Sequence, residues 1–507
     1  MSRLRIHIFL LLMALAATTV AHGSDRNDVV MPDAKTFLPI PPDSASVGFA
    51  LDFYKWIWGK KQRDTNLGEQ ASLDSGCGID RLCQIYSGIL GVDITPSGAS
   101  AIYSLISTSV QAGILTSHIE NPCFMRQRPF VLMNEQPWGE NDVNADLSDS
   151  TSFPSAHAAM VWSAALAMAQ VAPQLQDTIF SRAMECASSG VITGSDWQSD
   201  VDAGIMCAAA AMSRNQAASQ YASLMFQARE EYMQLSGLSE SDLKASYPSI
   251  EKILGIPPGI DDYFFVDDME KHWYFLSLRN GERGELASAD SSMGDDYIIN
   301  MFAACSPFVT ISDQVTPQIT TFVKLLKFVL SQQATALKTN VFRKRPYIQF
   351  KEDIPYGGEA WHLYTESSYP SRHAFIGWGL ALALVEVMPD CQDALLKRGY
   401  EYGDSRLYLG MCYASDVKAS RVMAACNLNK LHNETFYKVL LENAKKEYQQ
   451  RRYDVNGDGL ISSIDITVLY NYLLNGDDSA IVNGDLDGDG IISSVDVTIV
   501  YNILLGE

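Results

Sequence analysis

Pro370-Ser371-Arg372-His373, followed by an almost wholly apolar run from Ala374 to Met388 that stops at Pro389, is the stretch on which the fold turns. Proline starts a helix readily but cannot continue one, so the Pro-Ser step reads as a helix opening and Pro389 as its end. A run apolar on every face belongs in a protein core, and this one is shorter than the roughly 20 residues a bilayer requires. Upstream, Pro154-Ser155-Ala156-His157 opens a second run, Ala158 to Val171, which ends before Pro173.

The same offset of 216 or 217 residues aligns other segments in the same order. Leu38-Pro39-Ile40-Pro41-Pro42 meets Leu254-Gly255-Ile256-Pro257-Pro258, Arg128-Pro129 meets Arg345-Pro346, and Ser189 through Asp200 meets Ser405 through Asp416. Ordered matches at so long a period predict duplication of a whole domain, not a short solenoid repeat. Few alternating runs suggest strands, so the expected fold is all-α, with two tandem helical bundles at residues 30–235 and 245–450.

Arg3 and Arg5 precede an apolar run from Ile6 to Ala17, with Ala21 and Gly23 as small residues for cleavage. Residues 1–23 therefore read as an export signal, and the expected location is periplasmic or extracellular, with no integral membrane segment once the signal is removed. The 38 basic and 60 acidic residues argue against nucleic acid as a partner. Nine cysteines, an odd number, leave at least one thiol outside any intrachain disulfide.

From residue 451 onward the composition changes. Asp454, Asn456, Asp458, Ser462 and Asp465, with Gly459 at the sixth position, have the spacing of a calcium loop. Asp485, Asp487, Asp489, Ser493 and Asp496, with Gly490, repeat it. Leu460 and Ile491 stand where such loops supply a backbone carbonyl, so two calcium ions are expected. Each loop is followed by an apolar helix, and neither is expected to have a normal entering helix before it. Paired loop-helix units of this kind resemble a type I dockerin, placed at residues 451–507. That resemblance implies a cohesin domain of a scaffold protein as partner.

The second repeat carries a set of polar groups suited to a phosphate ester. Lys338, Arg345 and Arg406 could neutralise a phosphate dianion, and guanidinium forks hold its oxygens in fixed directions. Arg372 and Ser405 extend the set, Ser371 adds a hydroxyl at a helix start, and His373 is a candidate general acid. Lys338 with Arg345-Pro346, then Pro370-Ser371-Arg372-His373, then Ser405-Arg406 with Cys412 and Asp416, resembles the class A non-specific bacterial acid phosphatases. These belong to the type 2 phosphatidic acid phosphatase and vanadium haloperoxidase superfamily.

The resemblance implies a covalent nucleophile at Cys412, where the family has histidine, oriented by Asp416. Arg372 replaces the family's glycine. A thiolate among cations is a good nucleophile, but sulfur lies about 2 Å nearer the backbone than a distal imidazole nitrogen, and about 1 Å of misplacement already costs a hundredfold. His362 is the nearest alternative nucleophile. The first repeat departs further, with Asn121 for the lysine, Gly190 for the second arginine and Asp196 for the nucleophile, while Arg128, His157, Ser189 and Asp200 remain.

Two functions follow as expectations. One is an exported acid-phosphatase-like hydrolase of phosphate monoesters, tethered through its dockerin, with no cofactor at the phosphatase site. The other is a catalytically silent phosphate-binding pseudoenzyme assembled on a cohesin scaffold.

Overall fold

The computed structural model describes residues 29–136, 138, 139, 150–338, 341–352 and 362–505. The expected export signal, residues 1–23, lies outside them. The described residues are helical, with no strand among them, and none of their helices is long and apolar enough to cross a membrane. Residues 31–448 form one compact unit, and residues 449–505 belong to a second.

Both diagnostic Pro-Ser steps start helices. Ser155 Oγ accepts the Ala158 N–H at 3.1 Å and opens helix Ala156–Val171; Ser371 Oγ accepts the Ala374 N–H at 3.5 Å and opens Arg372–Val387. A side-chain oxygen there satisfies a helix-end N–H that would otherwise lack a partner. Both helices are buried along nearly their whole length. Ala156–Val171 packs against Ser100–Ser117 and Gln198–Ala217. Its counterpart packs against Pro317–Leu337, Gln392–Tyr408 and Ala414–Leu431. The closest approach depends on glycine, since a Cβ on Gly399 would stand 2.4 Å from Ala381 Cβ and 2.7 Å from Gly377 O.

The boundaries at 30–235 and 245–450 divide the sequence, but the packing crosses them. One hydrophobic core runs from Ala34 to Tyr448 through both halves. The leading segment of each half lies on the other half. Asp33 N–H donates to Asp393 Oδ1 at 3.0 Å, and the Phe37 ring lies 6.0 Å from that of Trp378. In the opposite direction, Ser249 N–H donates to Asp177 Oδ1 at 2.9 Å, and Lys252 pairs with Asp177 Oδ2 at 3.0 Å. Polar groups join the halves inside the core, where Gln170 Nε2 donates to Asn429 Oδ1 at 2.7 Å. Lys418 pairs with Asp202 at 2.6 Å.

None of the nine cysteines, all among the described residues, is in a disulfide.

The C-terminal unit has its own small core of Val455, Val468, Leu469, Leu486, Val497 and Val500, beneath helices Ser463–Asn475 and Ser494–Leu505. One expectation is corrected here. Helix Thr435–Tyr453 runs directly into Asp454, so the first loop does have a helix before it. Its polar sequence carries too weak an apolar periodicity to announce an entering helix.

Candidate functional site

The site in the second half is built from helix ends. Lys338 ends Pro317–Leu337, Arg345 precedes the short helix Pro346–Gln349, Arg372 and His373 begin Arg372–Val387, and Arg406 lies in the last turn of Gln392–Tyr408. Arg345 and Arg406 are each only 5% exposed. Arg345 Nη1 donates to Met411 O at 3.0 Å and lies 3.9 Å from Cys412 Sγ. Lys338 Nζ donates to Ser367 O at 2.5 Å. Burial in this cationic pocket pushes the Lys338 ammonium down to about 8, although the nearby Cys412 and Asp416 favour its charge.

Much of the donor capacity here is unmatched. Arg345 Nε, Arg372 Nε and Ser368 Oγ are buried without a hydrogen-bond partner. The Arg406 guanidinium donates to no described residue, and Ser371 Oγ is engaged only as the acceptor from Ala374. A buried donor left unpaired costs about 1–3 kcal/mol, so a cluster of them marks a place meant for acceptors. One acceptor is already present. Glu366 Oε2 lies 3.3 Å from Arg345 Nη2, and its Oε1 lies 3.1 Å from Arg372 Nη2.

Other residues singled out from the sequence are engaged elsewhere. Asp416 has no hydrogen bond to Cys412 among the described residues; its Oδ1 accepts from Arg343 Nη1 at 2.6 Å and its Oδ2 caps the Tyr413 N–H at 2.8 Å. Ser405 Oγ lies 2.5 Å from Asp290 Oδ2, a carboxylate also held by Arg398. His373 Nε2 lies 3.2 Å from Ser291 O. Burial, then the charge of Arg406, pushes the imidazole well below its usual range, so the ring is neutral and its Nε2–H donates to that carbonyl. Using that proton in catalysis requires the bond to break. Cys412 is 4% exposed, with Sγ 3.7 Å from Ser368 O. The side chain of His362 lies outside the described residues.

Sequence reading missed Arg343. Its guanidinium joins two buried carboxylates, Asp268 Oδ2 at 2.7 Å and Asp416 Oδ1 at 2.6 Å, and also reaches Ser415 Oγ and Pro258 O. In the first half Arg126 makes the same bridge, to Asp52 Oδ2 at 2.6 Å and Asp200 Oδ1 at 2.7 Å. The shared offset was the available signal, since Arg126 and Arg343 each stand two residues before an Arg-Pro.

The first half closes its own pocket. Asp196 Oδ1 accepts from Arg128 Nη1 at 2.9 Å, and its Oδ2 accepts from Ser155 Oγ at 2.8 Å. The rest of the Arg128 guanidinium is bonded to Ser150, Ser195 O and Thr151 O. A Cβ on Gly190 would lie 2.5 Å from Asp196 Oδ2, so this carboxylate occupies the space an arginine there would use. Asn121, at the lysine position, caps a short turn through the Cys123 N–H.

In the C-terminal unit the loops fold around their acidic residues. Asp454 accepts from the Asp458 and Gly459 N–H groups, and Asp485 from those of Gly488 and Gly490. Gly459 and Gly490 have φ of 89° and 85°, a region that suits glycine. Asp465 and Asp496 each accept three backbone N–H groups. Carboxylate oxygens of Asp485, Asp487 and Asp489 all lie within 4.8 Å of one another. An all-oxygen, strongly anionic set on a tight turn fits calcium.

Residues 98–217 match the PAP2 superfamily, and residues 452–505 match the dockerin type I domain. The chain is 31% identical over 204 residues to a non-specific acid phosphatase of Providencia stuartii, covering 40% of this chain and 82% of that protein. It is 28% identical over 217 residues to a non-specific acid phosphatase of Salmonella typhi, covering 43% and 85%. An acid phosphatase of Zymomonas mobilis is 29% identical over 175 residues, covering 34% and 66%.

Proposed function

Because the chain belongs to the non-specific acid phosphatases of the PAP2 superfamily and carries a type I dockerin domain, we propose that it is a tethered acid-phosphatase-like protein whose second half receives a phosphate monoester. The observation that carries this reading is the group of unmatched donors at Arg345, Arg372, Ser368 and Arg406, against the saturated Arg128 of the first half. A phosphoryl group presents several acceptor oxygens and a double negative charge, which that group lacks and Lys338 would help neutralise.

If the site turns over, the Cys412 thiolate attacks phosphorus and the P–O bond to the alcohol breaks. The alkoxide takes a proton, and water then cleaves the S–P bond to release phosphate and restore the thiol. The second reading, binding without turnover, is favoured by a specific geometry: Asp416 is held by Arg343 and the His373 proton is directed at Ser291. Both readings are tested together by aryl phosphate hydrolysis and phosphate binding in the wild type, C412S and C412H. Hydrolysis lost in C412S supports the thiolate route. Phosphate binding with no hydrolysis supports the silent reading, and no phosphate binding at all refutes the site.

The dockerin unit would anchor the protein to a cohesin domain outside the cytoplasm. Asp454, Asn456, Asp458, Leu460 O, Ser462 and Asp465 would hold one calcium ion, and Asp485, Asp487, Asp489, Ile491 O, Ser493 and Asp496 a second. Bound calcium supplies the positive charge that lets these carboxylates share one loop. The first half serves as a structural partner, a role supported by the crossed leading segments and the shared core.

A further inference from the structure

We propose that Glu366 is a built-in competitor for the anion site: its carboxylate bridges Arg345 and Arg372 where a phosphate would sit, and a ligand must displace it to bind. The inference rests on the reading of the second half as a phosphate site and adds the residue that sets its threshold. The geometry is that of a stand-in anion. Two carboxylate oxygens meet one nitrogen from each arginine, at 3.3 and 3.1 Å, while the Nε of both arginines stays unmatched. A carboxylate has too few oxygens to satisfy the donors around it, and a phosphoryl group has more.

The first half shows the same device in a locked form. Asp196 fills that pocket between Arg128 and Ser155, and it is 4% exposed. The Glu366 side chain is 35% exposed. One carboxylate is almost wholly buried, whereas the other is partly in water and can swing out as the ligand enters. Burial opposes ionisation of Glu366, but Arg372, Arg345 and Lys338 outweigh it and hold the acid below its usual range, so the competitor is charged at neutral pH.

Displacement makes binding selective. A ligand must repay two part-exposed ion pairs, which a dianion with several oxygens does better than a halide or a carboxylate.

The test is calorimetric titration of the calcium-loaded full chain with inorganic phosphate at pH 7, comparing wild type, Glu366→Gln and Glu282→Gln. Glu282 lies at the exposed start of helix Glu282–Ala289 and controls for the loss of one negative charge. Removing two part-exposed ion pairs should tighten phosphate binding roughly twofold to thirtyfold in Glu366→Gln and leave Glu282→Gln unchanged. Equal affinity in wild type and Glu366→Gln, or weaker binding in the variant, overturns the competitor and leaves the phosphate site standing. Phosphate binding by none of the three proteins overturns both.

Discussion

Arg343→Met removes the cation between two buried carboxylates, Asp268 at 1% exposure and Asp416 at 0%. Methionine replaces the stem of the side chain but none of its hydrogen bonds, which run at 2.6 to 2.7 Å to Asp416, Asp268, Ser415 and Pro258 O. Removing one partner of a buried ion pair leaves an uncompensated charge and costs about 3–5 kcal/mol. Residues 31–448 unfold with an entropy of about 2.1 cal/mol/K per residue, near 0.9 kcal/mol/K in all, so the melting temperature should fall by about 3–6 °C. Arg126→Met should cost about the same, because its two carboxylate contacts have the same lengths.

Thermal unfolding followed by circular dichroism at pH 7 measures the loss. A loss below about 1 kcal/mol would refute the claim that these carboxylates depend on one guanidinium.

Because the Lys338 ammonium titrates near 8, phosphate affinity should weaken as pH rises through that value, and the trend should be absent in Lys338→Met; a wild-type affinity flat from pH 7 to 9 contradicts it. Chelation of calcium should reduce the helical signal of residues 463–475 and 494–505 while the melting of residues 31–448 stays unchanged, as hydrogen exchange can resolve. Phe37→Ala should cost about 3–5 kcal/mol, and the loss of exchange protection should extend to residues 372–387 because the ring reaches Trp378. For the same reason an isolated fragment of residues 245–450 should not reach the stability it has in the full chain, as a denaturant titration would show.

The parts of this protein that could be read in the sequence are those with short-range causes. Helix starts at Ser155 and Ser371 follow from one hydroxyl and a preceding proline. The buried helices declare themselves by apolar residues on all faces, and the dockerin loops by oxygen-bearing side chains at fixed spacing around a glycine. A shared anion site for Lys338, Arg345, Arg372 and Arg406 was the expectation because a cationic set with two helix starts suggests one anion, and Glu366 links two of them, Arg345 and Arg372. The uses of Asp416 and Ser405 were not anticipated, because their partners Arg343 and Asp290 lie 73 and 115 residues away.

The chain by itself determined an all-helical architecture and a dockerin tail, since both depend on periodicity and spacing within a few turns of backbone. Tertiary structure alone decided that leading segments cross between halves, that Asp196 seals one pocket, and that Glu366 lies across the other. Each of these depends on which charge is nearest once distant segments pack, and Coulomb energy depends on separation in space, to which position along the sequence is blind.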